Sequence, residues 1–585
     1  MLTKVKTLFT SEENQMTDIK NSRVHVQNFG QKPMSKIDIA ARLTVSGAIA
    51  VVLFAGAILS GQMSSQVVTA VGSLPILNGK SALTELKQRG RLESIVRKEN
   101  SDKVRDDSVR AEAALAFGGS TKIQANDGIA GDQFGGSVAI SGTTVIVGAN
   151  GGAATASGAG AAYVYVLSNG AWTLQQKLTA NDGEADDAFG TYVAISGDTA
   201  VVGAYGDRVG TNVNQGSAYV FVRTGTSWSL QQKLTVADGA ANDFFGRAVA
   251  IAGDTVVVGS SSADVTTNVD QGAAYVFFRS GSTWAQQAKL VAGDGAATEY
   301  FGDSVAISGD TVVVGATEDA TGANIQQGSA YVFTRSGTAW SQQAKLTAGD
   351  GTAFDYFGFS VAVDSNTAVV GTLQDVGANF QQGSAYVFVR SGTTWTQQQK
   401  ILAGDGSAND SFGNSVFVSG DTAMIGAAGD TNGANARQGS AYLFTRTGTT
   451  WTQSQKLVAA DGGAEDSFGA GVAFTQNAAV VGSIGDTIGG NSLQGSAYIF
   501  SSDVSISGRV TTPSGQNLRN VIVSLIDSAN VRRTATTSSF GIYQFDGVRT
   551  GESYTMTVAS KRYRFSPKQF QLDAALTNVD FVGLE

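Results

Sequence analysis

Apolar runs and polar turns alternate along this chain on a fixed period. One copy runs Phe301-Gly302-Asp-Ser-Val-Ala-Ile-Ser-Gly-Asp-Thr-Val-Val-Val-Gly315-Ala316, and six more place their Phe-Gly pairs at Phe134, Phe189, Phe245, Phe357, Phe412 and Phe468. Successive pairs are 55 or 56 residues apart. Such a period is the mark of a solenoid, a propeller or an array. In each unit Phe-Gly is followed by an apolar run, a tight polar turn, a second apolar run ending in Gly and a polar loop. A Gln-Gly-Ser-Ala-Tyr-Val-Phe strand and a Trp segment ending in Lys-Leu complete it. In the fourth unit this predicts strands at about Ser304–Ile307, Thr311–Val314, Ser329–Arg335 and Trp340–Leu346. Thr311–Val314 is apolar at both parities, as in a strand covered on both faces. Tyr331 and Phe333 fall on one face of the third strand, Ala330 and Val332 on the other.

The ends of the array distinguish a closed ring from an open solenoid, which would need polar capping repeats. The last unit stops at Ala497-Tyr498-Ile499-Phe500 and has no Trp segment. Upstream of the first Phe-Gly, Lys122 stands where Lys177, Lys233, Lys289, Lys345, Lys400 and Lys456 stand in the units. Phe117 correspondingly takes the place of Trp172, Trp228, Trp284, Trp340, Trp395 and Trp451. Residues 117–124 therefore supply the missing strand. The expected fold is all-β: a seven-bladed β-propeller over 116–500, closed by an N-terminal strand, then a small β-sandwich over 502–585.

The Phe-Gly heads and the Gly-Ala ends of the second run (Gly148-Ala149, Gly203-Ala204, Gly315-Ala316, Gly426-Ala427) resemble FG-GAP repeats, which form the propeller of integrin α-subunits. The chain departs from that family in having no Pro anywhere in 117–500. Some family blades also carry an Asp-rich calcium loop between strands one and two. Here that connection is Ser-Gly-Asp-Thr or similar, too short to supply several oxygens to one calcium ion. No cofactor or metal is expected from the resemblance. The C-terminal order Ser-Gly-Arg-Val, then Ser539-Phe-Gly-Ile-Tyr-Gln-Phe, then Tyr563-Arg-Phe-Ser-Pro resembles a carboxypeptidase regulatory-like domain, which implies a non-catalytic accessory module.

Residues 1–42 are polar and basic, and 43–61 (Leu43 to Gly61) are uncharged for 19 residues. That length suits one apolar transmembrane helix, with the basic side cytoplasmic, or the core of a cleaved signal. Both readings, like a start at Met1 or at Met34, place the rest of the chain outside the cytoplasm. Residues 62–115, which become highly charged from Lys87 to Arg110, are expected to form a short amphipathic helix or a flexible stalk. Beyond residue 42 the chain carries 33 Lys/Arg against 45 Asp/Glu, a net charge of −12, with no basic stripe. Nucleic acid is therefore excluded as an expected partner.

Candidate chemistry is narrow. There is no Cys, and the one His is His25. Thiolate, imidazole and ordinary zinc chemistry are excluded from the repeat region. Two acidic patterns remain. Carboxylates five apart precede each Phe-Gly (Asp127/Asp132, Asp182/Asp187, Asp238/Asp243, Asp294/Glu299, Asp350/Asp355, Asp405/Asp410, Asp461/Asp466). Because they recur in all seven units, they are expected to cap turn amides. The second pattern lies between strands two and three: Asp207/Asn212, Asp264/Asn268, Asp319/Asn324, Asp375/Asn379, Asp430/Asn435 and Asp486/Asn491, with Gly152 breaking it in unit one. Asx turns account for the repetition. The residues between vary, which makes these loops the candidate ligand face. The expectation is a non-enzymatic, exported or membrane-anchored surface protein whose propeller loops bind an extracellular protein or polysaccharide. The alternatives are a carboxylate-based carbohydrate-active enzyme and a structural envelope scaffold. An enzyme would show one unmatched carboxylate in the central channel, and none is expected.

Overall fold

A computed structural model describes residues 116–152, 158–168, 171–528, 530–550, 552–572 and 576–584. The expected cytoplasmic segment, apolar helix and stalk lie outside them. Among the described residues, no helix is long and apolar enough to cross a membrane.

Seven four-stranded antiparallel sheets follow the repeat. In the fourth blade the strands are β14 (Phe301–Ser308), β15 (Thr311–Ala316), β16 (Ser329–Ser336) and β17 (Ala339–Leu346). The innermost strand starts three residues earlier than the hydrophobic pattern suggests, because a bulge between Phe301 and Ser304 lets the Phe-Gly join the ladder. The apolar second strand is buried along its whole length in this blade. The outer strand is exposed or half-buried up to its last residue, Leu346, which is buried.

Phe301 is fully buried and meets Tyr331 and Phe333 edge-on, with ring centroids 5.5 and 5.9 Å away. The same aromatic trio recurs around the ring. Gly302 sits at φ +100°, where an L side chain would be strained, and a Cβ there would lie 2.3 Å from the Ala273 carbonyl oxygen of the preceding blade. A Cβ on Gly315 would lie 2.1 Å from the Gly358 oxygen of the next blade. Both glycines of the motif are thus spacers that let adjacent blades touch through their backbones.

The ring is closed as the chain ends imply. Strand β1 (Phe117–Ile123) pairs antiparallel with β28 (Ser496–Thr511), with Lys122 opposite Tyr498. No open solenoid edge remains. β28 does not stop at the expected boundary near residue 501. It runs on into the C-terminal domain, where it pairs with β31 (Ile542–Arg549) and β34 (Phe581–Val582). A second sheet, β30-β29-β32-β33 (Arg532–Thr536, Ile522–Ile526, Glu552–Ala559, Lys568–Leu572), completes a sandwich. Ile506, Val510, Val523, Leu525, Tyr543 and Met556 are buried in its core. Thr550 of the sandwich donates to the Asn477 carbonyl at 2.9 Å and also bonds Ser502, so the domain is fixed at the strand 1–2 turn of blade seven.

Candidate functional site

The acidic pairs before each Phe-Gly divide into two roles. The second acid caps the loop: Oδ2 of Asp132, Asp187, Asp243, Asp355, Asp410 and Asp466 accepts a backbone N–H three residues earlier at 2.5–2.8 Å. The first acid meets the conserved-looking Tyr and Lys of its blade. Asp182, for example, accepts from Tyr219 Oη at 2.8 Å and from Lys233 Nζ at 2.7 Å. Partial burial alone would raise the Asp182 pKa, but the hydrogen bonds from Lys233 and Tyr219 hold it below the usual carboxylate range.

The Asp/Asn loop pattern, which reads as one motif along the chain, is two positions in space. Asp207, Asp319, Asp430 and Asp486 are buried and pair with Lys233, Lys345, Lys456 and Lys122 at 2.5, 2.6, 2.7 and 2.7 Å. Asp264 and Asp375 are exposed and lie one residue later. Ala263 and Gln374 take the buried place instead, since their carbonyls receive the N–H of the following Gln-Gly glycine as those of Asp207 and Asp319 do. Asp264 and Asp375 accept the N–H of Asp270 and Gln381 at 3.0 and 2.7 Å. The six asparagines (Asn212, Asn268, Asn324, Asn379, Asn435, Asn491) donate to the Gln three residues on at 2.8–3.3 Å. Five of them also reach the carbonyl of the next Asp-Gly glycine, such as Gly239 for Asn212 at 3.0 Å. Their amides brace one blade's loop to the next. The short strand 1–2 turns are likewise engaged within the protein: the Asp310 carboxylate lies 2.6 Å from Arg335 Nη2.

Burial leaves three of the capping acids reluctant to ionise. Glu299 is pushed up to about 7, and Asp187 and Asp410 to about 6, by burial first and then by the neighbouring Asp319, Asp207 and Asp430. A carboxylate whose folded pKa is raised stabilises the fold below its unfolded pKa and loses that stabilisation as pH rises through the folded value. The lysine-bound aspartates work oppositely, losing their contribution as pH falls through their depressed values. Stability is therefore expected to rise from pH 8 to about 5 and to fall in stronger acid. Glu299→Gln should stabilise the protein at pH 8 by about 2 kcal/mol and flatten the rise between pH 7 and 5. Thermal unfolding across pH measures both, and an unchanged profile in the variant would contradict the assignment.

The blades differ most around the central channel. All seven innermost strands line one cavity of about 190 Å³. The residue after Phe-Gly is Gly136, Thr191, Arg247, Asp303, Phe359, Asn414 and Ala470 in turn. Close to these positions along the chain, blades two to five carry Tyr192, Tyr205, Phe244, Tyr300 and Tyr356, where other blades have residues such as Ser411, Ser467, Ala428 and Gln133. Tyr192 and Phe359 line the channel and are 38% and 39% exposed. Tyr205 and Phe244 pack edge-on with centroids 5.8 Å apart. Arg247 Nε lies 2.5 Å from Asp303 Oδ1. Enclosure raises the pKa of the Tyr192 phenol, Asp303 adds to the rise and Arg247 opposes it, so both charges act on this hydroxyl.

Asp303 is an acid that no other blade matches; it pairs with Arg247 near Tyr192 and is not among the residues that line the channel cavity. It occupies a position that is Gly, Thr, Arg, Phe, Asn or Ala in the other units. Its signal was present in the sequence as variation directly after an invariant Phe-Gly. Only the closed ring shows that four of those positions, Gly136, Phe359, Asn414 and Ala470, line one cavity. The tryptophans, by contrast, belong to the outer strands, where the guanidinium of Arg223 lies 5.2 Å from the centre of Trp228 and that of Arg279 5.1 Å from Trp284.

The carboxypeptidase regulatory-like domain profile matches residues 505–582. A search of curated proteins returns no match to the chain. The FG-GAP repeat profile matches seven consecutive segments, 118–165, 172–221, 228–277, 284–333, 340–388, 395–444 and 451–500, which together make up more than half of the chain. Each segment takes the outer strand of one blade and the three inner strands of the next, so the seven run around the whole ring, and the chain belongs to the FG-GAP repeat family.

Proposed function

We propose that this is a non-enzymatic, exported surface protein that recognises an extracellular protein or glycan through the loop-bearing face of its propeller. The observation that carries this reading is an arc of exposed apolar side chains at one loop position in four successive blades: Val213, Val269, Ile325 and Phe380, exposed by 40–57%. Phe354 on an adjoining loop is exposed as well. The matching residues in blades six and seven are Ala436 and Ser492. Contiguous exposed apolar surface rimmed by polar residues is a common mark of an interaction site.

Chain geometry supports the same reading. The propeller's first strand begins at Phe117, opposite Ser502 where β28 leaves for the sandwich. Both connections lie at the strand 1–2 turn end of blade seven, away from the loop face. A chain tethered upstream of residue 116 would present those loops outward. Hydrolysis by carboxylates needs a pair roughly 5–10 Å apart across a substrate. Asp303 is engaged by Arg247, and no carboxylate lines the channel cavity among the described residues.

The test is a binding screen of the full chain against extracellular proteins and polysaccharides, with calcium and with chelator. Saturable binding, weakened at least tenfold in the double variant Ile325→Ser/Phe380→Ser, is the expected result. Binding indifferent to those substitutions, or none at all, would overturn the reading in favour of a scaffold. Loss with chelator alone would show a calcium requirement that the short strand 1–2 turns do not suggest.

A further inference from the structure

We infer that the channel mouth of blades two to five is a binding subsite for a neutral saccharide, an assignment that rests on the recognition reading above and names its ligand class. Three features of the site support this.

Its flat groups are aromatic and accessible. Tyr192 and Phe359 stand on the channel wall, and both are exposed. Aromatic faces suit the C–H faces of a pyranose ring, which is apolar above and below and polar at its edge.

Its polar groups are mixed in type and balanced in charge. Arg247 offers only donors and Asp303 only acceptors, while the Tyr192 hydroxyl can do either. A sugar's adjacent hydroxyls each donate and accept, so an Arg–Asp pair beside a phenol matches them. The pair is neutral as a unit and lies near Tyr192, and no charged side chain is among the residues that line the cavity itself. An anionic or cationic ligand would find no unpaired counter-charge here. The chain's net charge of −9 also disfavours an acidic polymer.

The remaining polar side chains of the channel are already spent on the fold. Ser304 and Ser360 donate to the Gly358 and Gly413 carbonyls, and Asn414 to Gly469 and Ala470. Ser137 and Ser415 accept the N–H groups of Val193 and Val472. Among the described residues the Tyr192 hydroxyl has no hydrogen-bond partner, and the side chain is open to solvent. The free chemistry is therefore confined to Tyr192, Phe359 and the Arg247–Asp303 pair.

The experiment is titration calorimetry of the full chain with maltohexaose, cellohexaose, laminarihexaose and chitohexaose, with polygalacturonate as an anionic comparison. At least one neutral hexasaccharide is expected to bind saturably, and Tyr192→Ala or Phe359→Ala should weaken it tenfold or more. Tyr192→Phe, which removes only the hydroxyl, should weaken it less than Tyr192→Ala. The thermal transition of each variant should match the parent, because both side chains are partly exposed. Hexasaccharide binding that survives both alanine variants would overturn the channel site while leaving recognition standing. Preference for polygalacturonate would overturn neutrality of the ligand. A protein ligand bound by the loop face with no saccharide bound would overturn the ligand class alone. Absence of all binding in both screens would remove the recognition reading together with this one.

Discussion

Deleting residues 117–123 is expected to abolish the cooperative unfolding transition of the propeller. Those seven residues are the outer strand of the blade that joins the two ends of the ring. Phe117 is 3% exposed and packs against Phe474, with centroids 6.4 Å apart, in a cluster with Met424, Leu443 and Phe500. The Gln455 side chain brackets its backbone, accepting from the Phe117 N–H at 2.9 Å and donating to its carbonyl at 2.5 Å. Lys122 is the sole lysine shared by Asp461 and the buried Asp486, at 2.9 and 2.7 Å. Loss of a buried Phe costs about 3–5 kcal/mol, and stranding a buried carboxylate costs a similar amount, about 3–5 kcal/mol. Together these approach the whole stability of an ordinary domain, about 5–15 kcal/mol. The deletion also exposes β28 as an open edge, so association between chains should follow. Calorimetry and sedimentation of the deleted chain measure both effects. A peptide of residues 113–124 added in trans should restore the transition in part. An unchanged transition without the strand would show that the ring needs no closure.

The second large effect is expected at Lys345. Its ammonium lies 2.8 Å from Asp294 and 2.6 Å from Asp319, whose side chain is 2% exposed. Burial alone would lower the Lys345 pKa, but the hydrogen bonds to these two carboxylates reverse the direction and raise it. Tyr331 and Ser329 also donate to Asp319 Oδ2, the tyrosine at 3.1 Å. Lys345→Met removes the only cation that pairs with these carboxylates among the described residues and leaves Asp319 buried near Glu299. A destabilisation of about 3–5 kcal/mol at pH 8 is expected. It should shrink below pH 7, where Glu299 takes up a proton and the local charge falls. Blade five supplies the compensating change: Gln374 occupies the place of Asp319 and accepts from Ser384 and Tyr386 at 2.9 and 2.5 Å without needing a charge. Asp319→Gln in the Lys345→Met background should therefore recover much of the loss. Chemical denaturation of the two variants at pH 8 and pH 6 would decide it, and equal losses in both variants would refute the buried-charge explanation.

Some of the site was legible before any geometry. That the acidic pairs recur in every unit predicted their turn-capping role, and Asp132 and its counterparts cap as expected. The loop aspartates were misaligned because Asp264 and Asp375 share composition, but not position, with Asp207. A residue's neighbours along the chain do not reveal which carbonyl its loop glycine will bond. The asparagines pointed to a variable loop, yet five of the six spend their amides on holding adjacent blades together, and Asn379 bonds Gln382 within its own loop. The apolar arc from Val213 to Phe380 escaped notice because single exposed apolar residues carry no signal until the ring places them side by side.

The sequence by itself determined the number of blades, the strands of each blade, the closing strand and the presence of a second β domain. Those follow from period, alternation and turn chemistry, which are local and repeated seven times over. Tertiary structure alone decided which positions converge. Arg247 and Asp303 are 56 residues apart and meet at 2.5 Å because the ring turns successive units toward one axis. Tyr192 and Phe359 share a cavity for the same reason. A periodic sequence specifies each blade through contacts within and between neighbours, whereas the channel is a property of closure, and closure exists only in three dimensions.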